Sequence, residues 1–404
     1  MTPTAEVELI FGTSVAYGSS FVLGDPAEGI LGTNALGTFK KVNITEQLYR
    51  MSVRRGRDDI FSSYKNGTAT IQFRDFTGRF NPENTSSDLF GEILPFRQVR
   101  IFANADDRYQ IFAGWVQSWD WRYQPGQQYA VVNVACTDSF RLFKLASIDS
   151  IPGASAGDLT STRVTQILDA VDWPPQLRNI GTGTLTVQAP STDTTDVLSV
   201  LQQCEAAELG ALFVDESGRL TFEGQTELAN RAVAPPLRFS STDEAFSAID
   251  VMLDDRQLAN DVTFERAGGT PQTVQDLDSI EKFFIRSRSE TGLILETDQY
   301  ALDNANKVLR VRSDPTLRVE GITVNMVGAD AGRNAAVFAR ELNDSLEVSL
   351  DAPGGAIDLT LIINDIEHTA SPGTWQTKFS TEPPLLTRFI LGNNTYGILG
   401  TSTL

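Results

Sequence analysis

The chain has 404 residues and carries 33 basic against 52 acidic side chains, which gives a net charge of −19. An acidic excess of this size repels phosphate and argues against a general nucleic-acid binder, and 41% hydrophobic residues argue against a disordered chain. The length predicts about two to four domains, and no run approaches the roughly 20 apolar residues of a membrane-spanning helix.

Short strand-like runs dominate the first third of the chain. The run 68–74, T-A-T-I-Q-F-R, alternates polar and apolar residues as a half-buried strand does. Further runs of this kind follow at 99–103, 109–116 and 129–136. Strands in such close succession predict an antiparallel barrel or sandwich, which we place at residues 41–150.

A small α/β domain is predicted at residues 151–235, after a linker of small residues. Apolar residues spaced three and four apart predict helices at 161–171 and 194–209, the second ended by Gly210. A β-hairpin at 211–222, with the turn D-E-S-G, completes this domain.

A second β-rich domain is predicted at residues 236–380, interrupted by a polar, partly helical insertion at about 273–315. Helical spacing is found at 297–312 inside the insertion and at 331–342 beyond it. Strand patterns are found at 248–253, 258–266, 316–327, 346–350 and 357–366. The predicted fold class is therefore mainly β with α+β parts: two β-barrel domains, an intervening small α/β domain and a partly helical insertion.

The two ends of the chain repeat one phrase. Residues 21–36 (F-V-L-G-D-P-A-E-G-I-L-G-T-N-A-L) and 389–404 (F-I-L-G-N-N-T-Y-G-I-L-G-T-S-T-L) are identical at nine of sixteen positions. Each copy predicts a short hairpin that needs another sheet to join, so we expect an N-terminal arm (1–40) and a C-terminal hairpin (381–404) that dock by strand addition. The apolar residues expected at this assembly interface are Phe21, Leu23, Ile30, Leu31, Phe389, Leu391, Ile398 and Leu399.

Residues for catalysis or metal binding are scarce. The chain has one histidine, His368, which we interpret as an ordinary strand-end residue, and no G-x-S-x-G motif accompanies it. Two distant cysteines, Cys136 and Cys204, predict free buried thiols and folding in a reducing cytosol. No calcium loop or phosphate-binding loop is present, so we expect no catalytic residue, no metal and no cofactor.

One aromatic stretch leaves an alternative open. In W-V-Q-S-W-D-W-R-Y, the residues Trp115, Trp119, Trp121 and Tyr123 share strand parity and would line one face. Such a face is typical of a core or an interface, but a platform for sugar stacking is the competing hypothesis.

The region 61–116 resembles the N-terminal hub domain of minor tail proteins of long-tailed bacteriophages. In that family, a strand and turn of the form G-x-A-x-I-x-L-x-D-x-x-G-R-F-x-P precedes a V-R-I strand and an F-x-G-x-V strand. The residues of the hub motif are Gly67, Ala69, Ile71, Phe73, Asp75, Gly78, Arg79, Phe80 and Pro82, then Val99, Arg100, Ile101, Phe112, Gly114, Trp115 and Val116.

The resemblance implies a structural protein of the virion, at the distal end of the phage tail. Such hubs are homotrimers in which each chain supplies two similar β-barrels, so that three chains form a pseudo-six-fold ring. The implied partners are the tail tube, distal tail proteins and tail-tip or fibre proteins, while phage DNA passes through without specific binding. A tail protein that binds or degrades host glycans and a hexameric distal tail ring are the alternatives.

Overall fold

The computed structural model describes residues 2–12, 40–191, 193–240, 246–328 and 331–385, and the fold of these residues is mainly β. The predicted hairpin repeats, 21–36 and 389–404, lie outside the described residues. No described helix is long and apolar enough to cross a membrane.

One large sheet contains thirteen strands, seven from the N-terminal third of the chain and six from the C-terminal part. The first group is β1 (Thr4–Phe11), β2 (Lys40–Asn43), β3 (Leu48–Gly56), β4 (Thr68–Asp75), β5 (Gln98–Asn104), β6 (Arg108–Arg122) and β7 (Ala130–Thr137). The second group is β15 (Leu237–Ser240), β16 (Phe246–Met252), β20 (Arg318–Asn325), β21 (Ser345–Ala352), β22 (Gly355–Ser371) and β23 (Thr374–Glu382). β1 lies in the region predicted as an N-terminal arm (1–40), and the other strands of the two groups lie in or next to the predicted regions 41–150 and 236–380.

The strand order shows how the two groups are joined. The path runs β16-β20-β23-β22-β3-β4-β7-β6-β5-β1-β2, and β21 pairs with both β22 and β15. The two groups meet where β22 pairs antiparallel with β3, from Asp365↔Gly56 to Ala370↔Met51. Among the described strands, no ladder joins β2 to β3 or β15 to β16, so neither group forms a closed barrel there.

The strands form because their apolar residues alternate. In β4, Ala69, Ile71 and Phe73 are buried, and the residues between them lie on the opposite face of the sheet. These side chains belong to a continuous hydrophobic core that also includes Leu201 and Phe222 from the middle of the chain. The core therefore extends from the large sheet into the helical unit packed on it.

The middle unit is built from short strands and helices, as the sequence predicted. Its helices are α1 (Ser139–Leu145), α2 (Thr160–Ala170), α3 (Val197–Glu208) and α4 (Gln225–Ala232). Its strands are β8 (Ser147–Ile148), β9 (Asp158–Leu159), β10 (Arg178–Ile180), β11 (Thr186–Val187), β12 (Thr195–Asp196), β13 (Ala211–Val214) and β14 (Leu220–Glu223). Helix α3 ends at Glu208, two residues before Gly210, because Leu209 adopts a left-handed conformation with φ 49°.

A three-stranded sheet and a long helix form a further unit, and its apolar cluster also includes Leu185, Val187 and Ala207 of the middle unit. Its elements are β17 (Asp261–Arg266), β18 (Gln272–Gln275), α5 (Leu277–Phe283), β19 (Ser287–Leu293) and α6 (Asp298–Arg312). Strand β17, from the pattern at 258–266, had been predicted to belong to the second β-rich domain, but it pairs with β18 and β19 instead. Two short 3-10 helices (Thr45–Gln47, Pro175–Leu177) and helix α7 (Ala331–Phe338) complete the described elements.

Candidate functional site

The loop between β4 and β5 carries the hub motif, and Asp75 closes its first turn. The Asp75 carboxylate accepts hydrogen bonds from the backbone N–H groups of Thr77 (3.2 Å), Arg79 (3.1 Å) and Phe80 (2.8 Å). Gly78 has φ +69°, a conformation that glycine adopts without strain. Asp75 and Gly78 therefore shape the loop, as Asp and Gly do in tight turns.

Ion pairs hold this loop against Lys40, and a hydrogen bond holds it against Gly12, the two described residues on either side of 13–39. Arg79 donates two hydrogen bonds to Asp88, of 2.9 and 2.8 Å, and the Lys40 ammonium binds the same carboxylate. These two cations, through hydrogen bonds and charge, hold the pKa of Asp88 far below its usual value. Arg97 donates to the Gly12 carbonyl at 2.7 Å and to the Glu92 carboxylate at 2.8 Å.

The same loop exposes a group of apolar side chains, Phe90, Leu94 and Phe96, which we name the loop patch. Each is about half exposed, at 50%, 48% and 46%. Phe96 has φ +62°, which is strained for a residue with a Cβ, while its backbone N–H donates to the Val116 carbonyl at 2.7 Å. Exposed aromatic side chains are typical of protein interfaces, so the loop patch is the candidate assembly surface. The apolar run F-G-E-I-L-P-F was its signal in the sequence.

The remaining hub-motif residues lie in strand packing or in the loop. The Gly67 N–H donates to the Asp138 carboxylate, and a Cβ on Gly114 would lie 2.4 Å from the Thr137 carbonyl oxygen. Trp115 is fully buried, and Pro82 is partly exposed in the loop. The structure thus brings Asp75, Gly78, Arg79 and Pro82 into one loop and places Gly67, Gly114 and Trp115 in the β-structure beside it.

The predicted aromatic face does not exist, because β6 contains a bulge. Its register against β7 shifts between Val116 and Ser118, which moves the following side chains to the opposite face. Trp115 packs edge-on against Trp173 at 6.2 Å, whereas Trp119 stacks on Phe11 at 6.3 Å in the main core.

The burial of the tryptophans removes the basis of the sugar-stacking hypothesis. The indole N–H groups of Trp119 and Trp121 donate to the carbonyls of Leu94 at 3.0 Å and Phe80 at 2.7 Å. Tyr123 alone among the four aromatic residues is well exposed. Trp119 and Trp121 therefore stabilise the β4–β5 loop through hydrogen bonds to its backbone carbonyls.

The eight residues predicted for the assembly interface all lie outside the described residues. They are Phe21, Leu23, Ile30, Leu31, Phe389, Leu391, Ile398 and Leu399. The first four belong to the segment whose two ends, Gly12 and Lys40, are held by the β4–β5 loop.

The single histidine is a core residue. His368 lies inside β22 rather than at its end, 4% exposed, and its Nδ1 is 3.0 Å from the Thr377 hydroxyl. Burial lowers the pKa of His368 to about 3, so the ring is neutral near pH 7. Cys136 and Cys204 are buried free thiols, as predicted. Within the described ranges, no three His, Cys, Asp or Glu side chains form a group that could hold a metal ion.

A partly buried carboxyl pair, Glu216 and Glu341, links the middle unit to the large sheet. Arg55 on β3 donates to both oxygens of Glu341, at 2.7 and 2.9 Å, and the Glu216 N–H donates to Glu341 at 3.1 Å. Burial and the neighbouring Glu341 raise the pKa of Glu216 to about 8. Burial also works to raise the pKa of Glu341, but the charge of Arg55 outweighs it and the pKa falls to about 2. Sequence patterns do not reveal this pair, because its members are far apart in the chain.

Similarity to known proteins is found at the level of the fold. No family model and no curated protein matches this sequence. The structure is similar to the tail protein from Neisseria meningitidis MC58, with a TM-score of 0.59 and 14% identity over 95% of this chain and 97% of that one. The chain has the fold of a phage-type tail protein.

Two further structures agree with this comparison. The 43 kDa tail protein of prophage MuSo2 from Shewanella oneidensis has a TM-score of 0.55 and 15% identity, over 86% of this chain and 96% of that one. A chain of the Francisella PdpA-VgrG complex has a TM-score of 0.51 and 10% identity, over 94% of this chain but 52% of that one. The fold thus extends over nearly the whole length of both tail proteins.

Proposed function

We propose that this chain is a structural, non-catalytic component of a phage tail, located in the virion at the distal end of the tail. The observation that carries the proposal is the near end-to-end likeness to two tail proteins, of which 97% and 96% are covered. A likeness over the whole length means that the relative arrangement of the units is shared, in addition to one common domain. The hub motif around Asp75, which forms a defined loop, supports the same assignment.

The finer proposal is a homotrimeric hub with pseudo-six-fold symmetry that joins the tail tube to the tip. Two groups of antiparallel strands, joined at β3 and β22, would provide two similar units per chain and six per trimer. Closure of each group into a barrel-like wall requires neighbouring chains or the segments outside the described residues.

The charge of the chain agrees with a passage for DNA. Three copies would carry −57, three times the −19 of one chain, and a negative wall repels DNA instead of holding it. The proposed partners are therefore tube, distal tail and tip or fibre proteins, and the DNA would pass without specific contacts.

The decisive experiment is the mass of the purified protein by light scattering over a range of concentrations. A trimer of about 133 kDa, three times 44.2 kDa, is the expected result. A hexamer of about 265 kDa, six times 44.2 kDa, would favour a distal tail ring. A stable monomer at all concentrations would contradict self-assembly of the isolated protein.

Deletion of 389–404 tests the role of the terminal repeat. We expect a truncated chain with an unchanged circular dichroism spectrum that is incorporated poorly into tails. A chain of full length with the order of these sixteen residues scrambled is the control for length and composition. Normal incorporation of both variants would refute an assembly role for the repeat.

A further inference from the structure

A cationic groove lies where the small three-stranded unit meets the large sheet. The groove opens where strands β20 and β23 separate. The backbone ladder between these strands ends at Ile322↔Phe379. Beyond this pair, the Thr381 hydroxyl of β23 donates to the Val319 carbonyl of β20 at 2.7 Å. The groove has a volume of 620 Å³. Its walls come from the loop after β3, the loop before β17, and strands β19, β20 and β23.

The charge balance of the groove lining is opposite in sign to that of the whole chain. Six cationic side chains line it, against four acidic ones, in a protein with a net charge of −19. The cationic residues are Arg54, Arg57, Arg256, Arg288, Arg318 and Lys378. The acidic residues are Asp58, Asp59, Glu320 and Glu382.

Not all of these cations are neutralised by ion pairs. Arg54 binds Asp365 at 2.9 Å and Arg318 binds Asp254 at 2.6 Å, but within the described part of the chain Arg57 forms no ion pair. The Arg57 guanidinium lies over the Tyr64 ring at 4.5 Å and donates only to an amide oxygen, that of Asn364, at 3.4 Å. Arg57 is only 6% exposed, but it lines the groove, and its guanidinium retains the capacity for stronger charge-assisted hydrogen bonds there.

Lys378 is the second cation of the groove lining that forms no ion pair within the described part of the chain. It is exposed on β23, where its neighbours across the strands are Glu367 and Thr323. An exposed ammonium at the mouth of a groove can pair with an incoming anion without rearrangement of the core.

A buried arginine lies beside the groove. Arg312 is 1% exposed, and its Nε and Nη1 have no hydrogen-bond partner among the described residues, while Nη2 donates to the Pro383 carbonyl at 2.9 Å. Burial lowers the pKa of Arg312 to about 10, and Arg318 and Arg57 act in the same direction. Arg312 and Arg288 both face the ring of Phe61, at 5.9 and 3.7 Å.

Arg288 is paired with Glu290 at 2.6 Å, but the two carboxylates that act on Arg312, Glu382 and Asp59, bind neutral donors. Glu382 accepts hydrogen bonds from the Ile60 N–H at 2.8 Å and the Gln257 side-chain amide at 2.5 Å. Asp59 accepts from the Phe61 N–H and the Ser62 hydroxyl, at 2.9 and 2.7 Å. The cations around Phe61 are therefore incompletely balanced by hydrogen-bonded acids, and closely packed like charges favour an anion at this place.

We propose that this groove binds the carboxylate side chains of a short acidic peptide segment from a partner protein, with Arg57 and Lys378 as the primary contacts. Planar guanidinium groups bind carboxylates through paired hydrogen bonds. A short acidic segment fits better than nucleic acid, because single carboxylates can meet Arg57 and Lys378 one at a time, whereas Asp58, Asp59 and Glu320 border the groove and repel a continuous chain of phosphates. The inference goes beyond the proposed tail role and does not depend on it.

The test is fluorescence anisotropy of a labelled hexaglutamate peptide with the full-length protein at low ionic strength, with hexaglutamine carrying the same label as the reference probe. Saturable binding of hexaglutamate alone is expected, weaker at high salt because exposed charges are screened. The variants Arg57→Gln and Lys378→Gln should each weaken binding about tenfold, the effect expected for loss of one charged partner.

Arg238→Gln is the matched control, because it removes the same charge from an exposed side chain on β15, away from the groove lining. Lys378 is exposed, so Lys378→Gln remains a valid test even where Arg57→Gln perturbs folding. No saturable binding, or equal affinities of wild type and all variants, would overturn the proposal. Tighter binding of an oligo-dT strand, lost in the same variants, would assign the groove to nucleic acid and overturn it as well.

Discussion

The connection between the two strand groups can be tested at one backbone position, Gly56. It is the last residue of β3, has φ +145°, and pairs with Asp365 of β22. A Cβ at this position would lie 2.3 Å from the Asn364 carbonyl oxygen and 2.4 Å from the Asp365 Cα. Both are backbone atoms, so relief of the overlap requires the two strands to separate.

The expected cost of Gly56→Ala has two parts. A positive φ costs about 1–3 kcal/mol for a residue with a Cβ. Overpacking adds typically about 1–3 kcal/mol, and the overlap with Asn364 and Asp365 involves rigid atoms. We therefore expect a loss of about 3–5 kcal/mol in the free energy of unfolding, a large share of the roughly 5–15 kcal/mol that stabilises a typical domain.

Gly126→Ala separates the two parts. Gly126 has φ +83°, but no heavy atom lies within 4 Å of its ideal Cβ, so only the conformational cost applies. Urea unfolding at neutral pH, followed by tryptophan fluorescence, should show Gly56→Ala to be less stable than Gly126→Ala by about 2 kcal/mol or more. Equal losses in the two variants would refute the close approach of β3 and β22.

Three further predictions concern buried polar groups. Asp75→Ala should cost about 2–4 kcal/mol in urea unfolding, because it leaves the Arg79 and Phe80 N–H groups unsatisfied, and Asp75→Asn should cost less because one oxygen remains. The pKa of Glu216 rises from 4.5 in the unfolded chain to about 8 in the folded one. The protonated carboxyl therefore stabilises the fold at low pH, and this contribution is lost as the pH rises from 4.5 to about 8. Glu216→Gln should flatten the dependence of the urea midpoint on pH. The pKa of His368 falls from 6.5 to about 3, so its neutral form stabilises the fold above pH 6.5, and His368→Gln should reduce the loss of stability below that pH. A slope between pH 5 and 8 that is the same in Glu216→Gln and wild type, or an acid limb unaffected by His368→Gln, would contradict these assignments.

Local patterns in the sequence predicted the elements well, and for a physical reason. The apolar spacing of α2, α3 and α6 and the alternation in β4 are properties of neighbouring residues, so they can be read without knowledge of the fold. The Asp75–Pro82 motif was also predictable, because turn residues act on the backbone next to them.

Long-range pairing could not be predicted in the same way. Arg54 and Asp365 meet across the β3–β22 ladder although 311 positions separate them, and no local pattern specifies that register. The bulge between Val116 and Ser118 made a local prediction wrong, because one extra residue reversed the faces that strict alternation assigns to the tryptophans. Strand β17 carried a normal strand pattern, and only tertiary context placed it in the small sheet.

The buried charges between units explain how a chain built from several pieces can have one fixed arrangement. Arg55 and Glu341 join the large sheet to the segment after α7, and Arg231 of α4 binds both Glu223 and Asp344. Removal of the two charges from water offsets much of the Coulomb attraction between them, so the net contribution of such an ion pair to stability is small or negative. Their directional hydrogen bonds, however, penalise any displacement that leaves a buried charge unpaired. We infer that these pairs fix the orientation of the units, whereas the apolar core supplies the stability, and the proposed role in a symmetric tail would require such a fixed orientation.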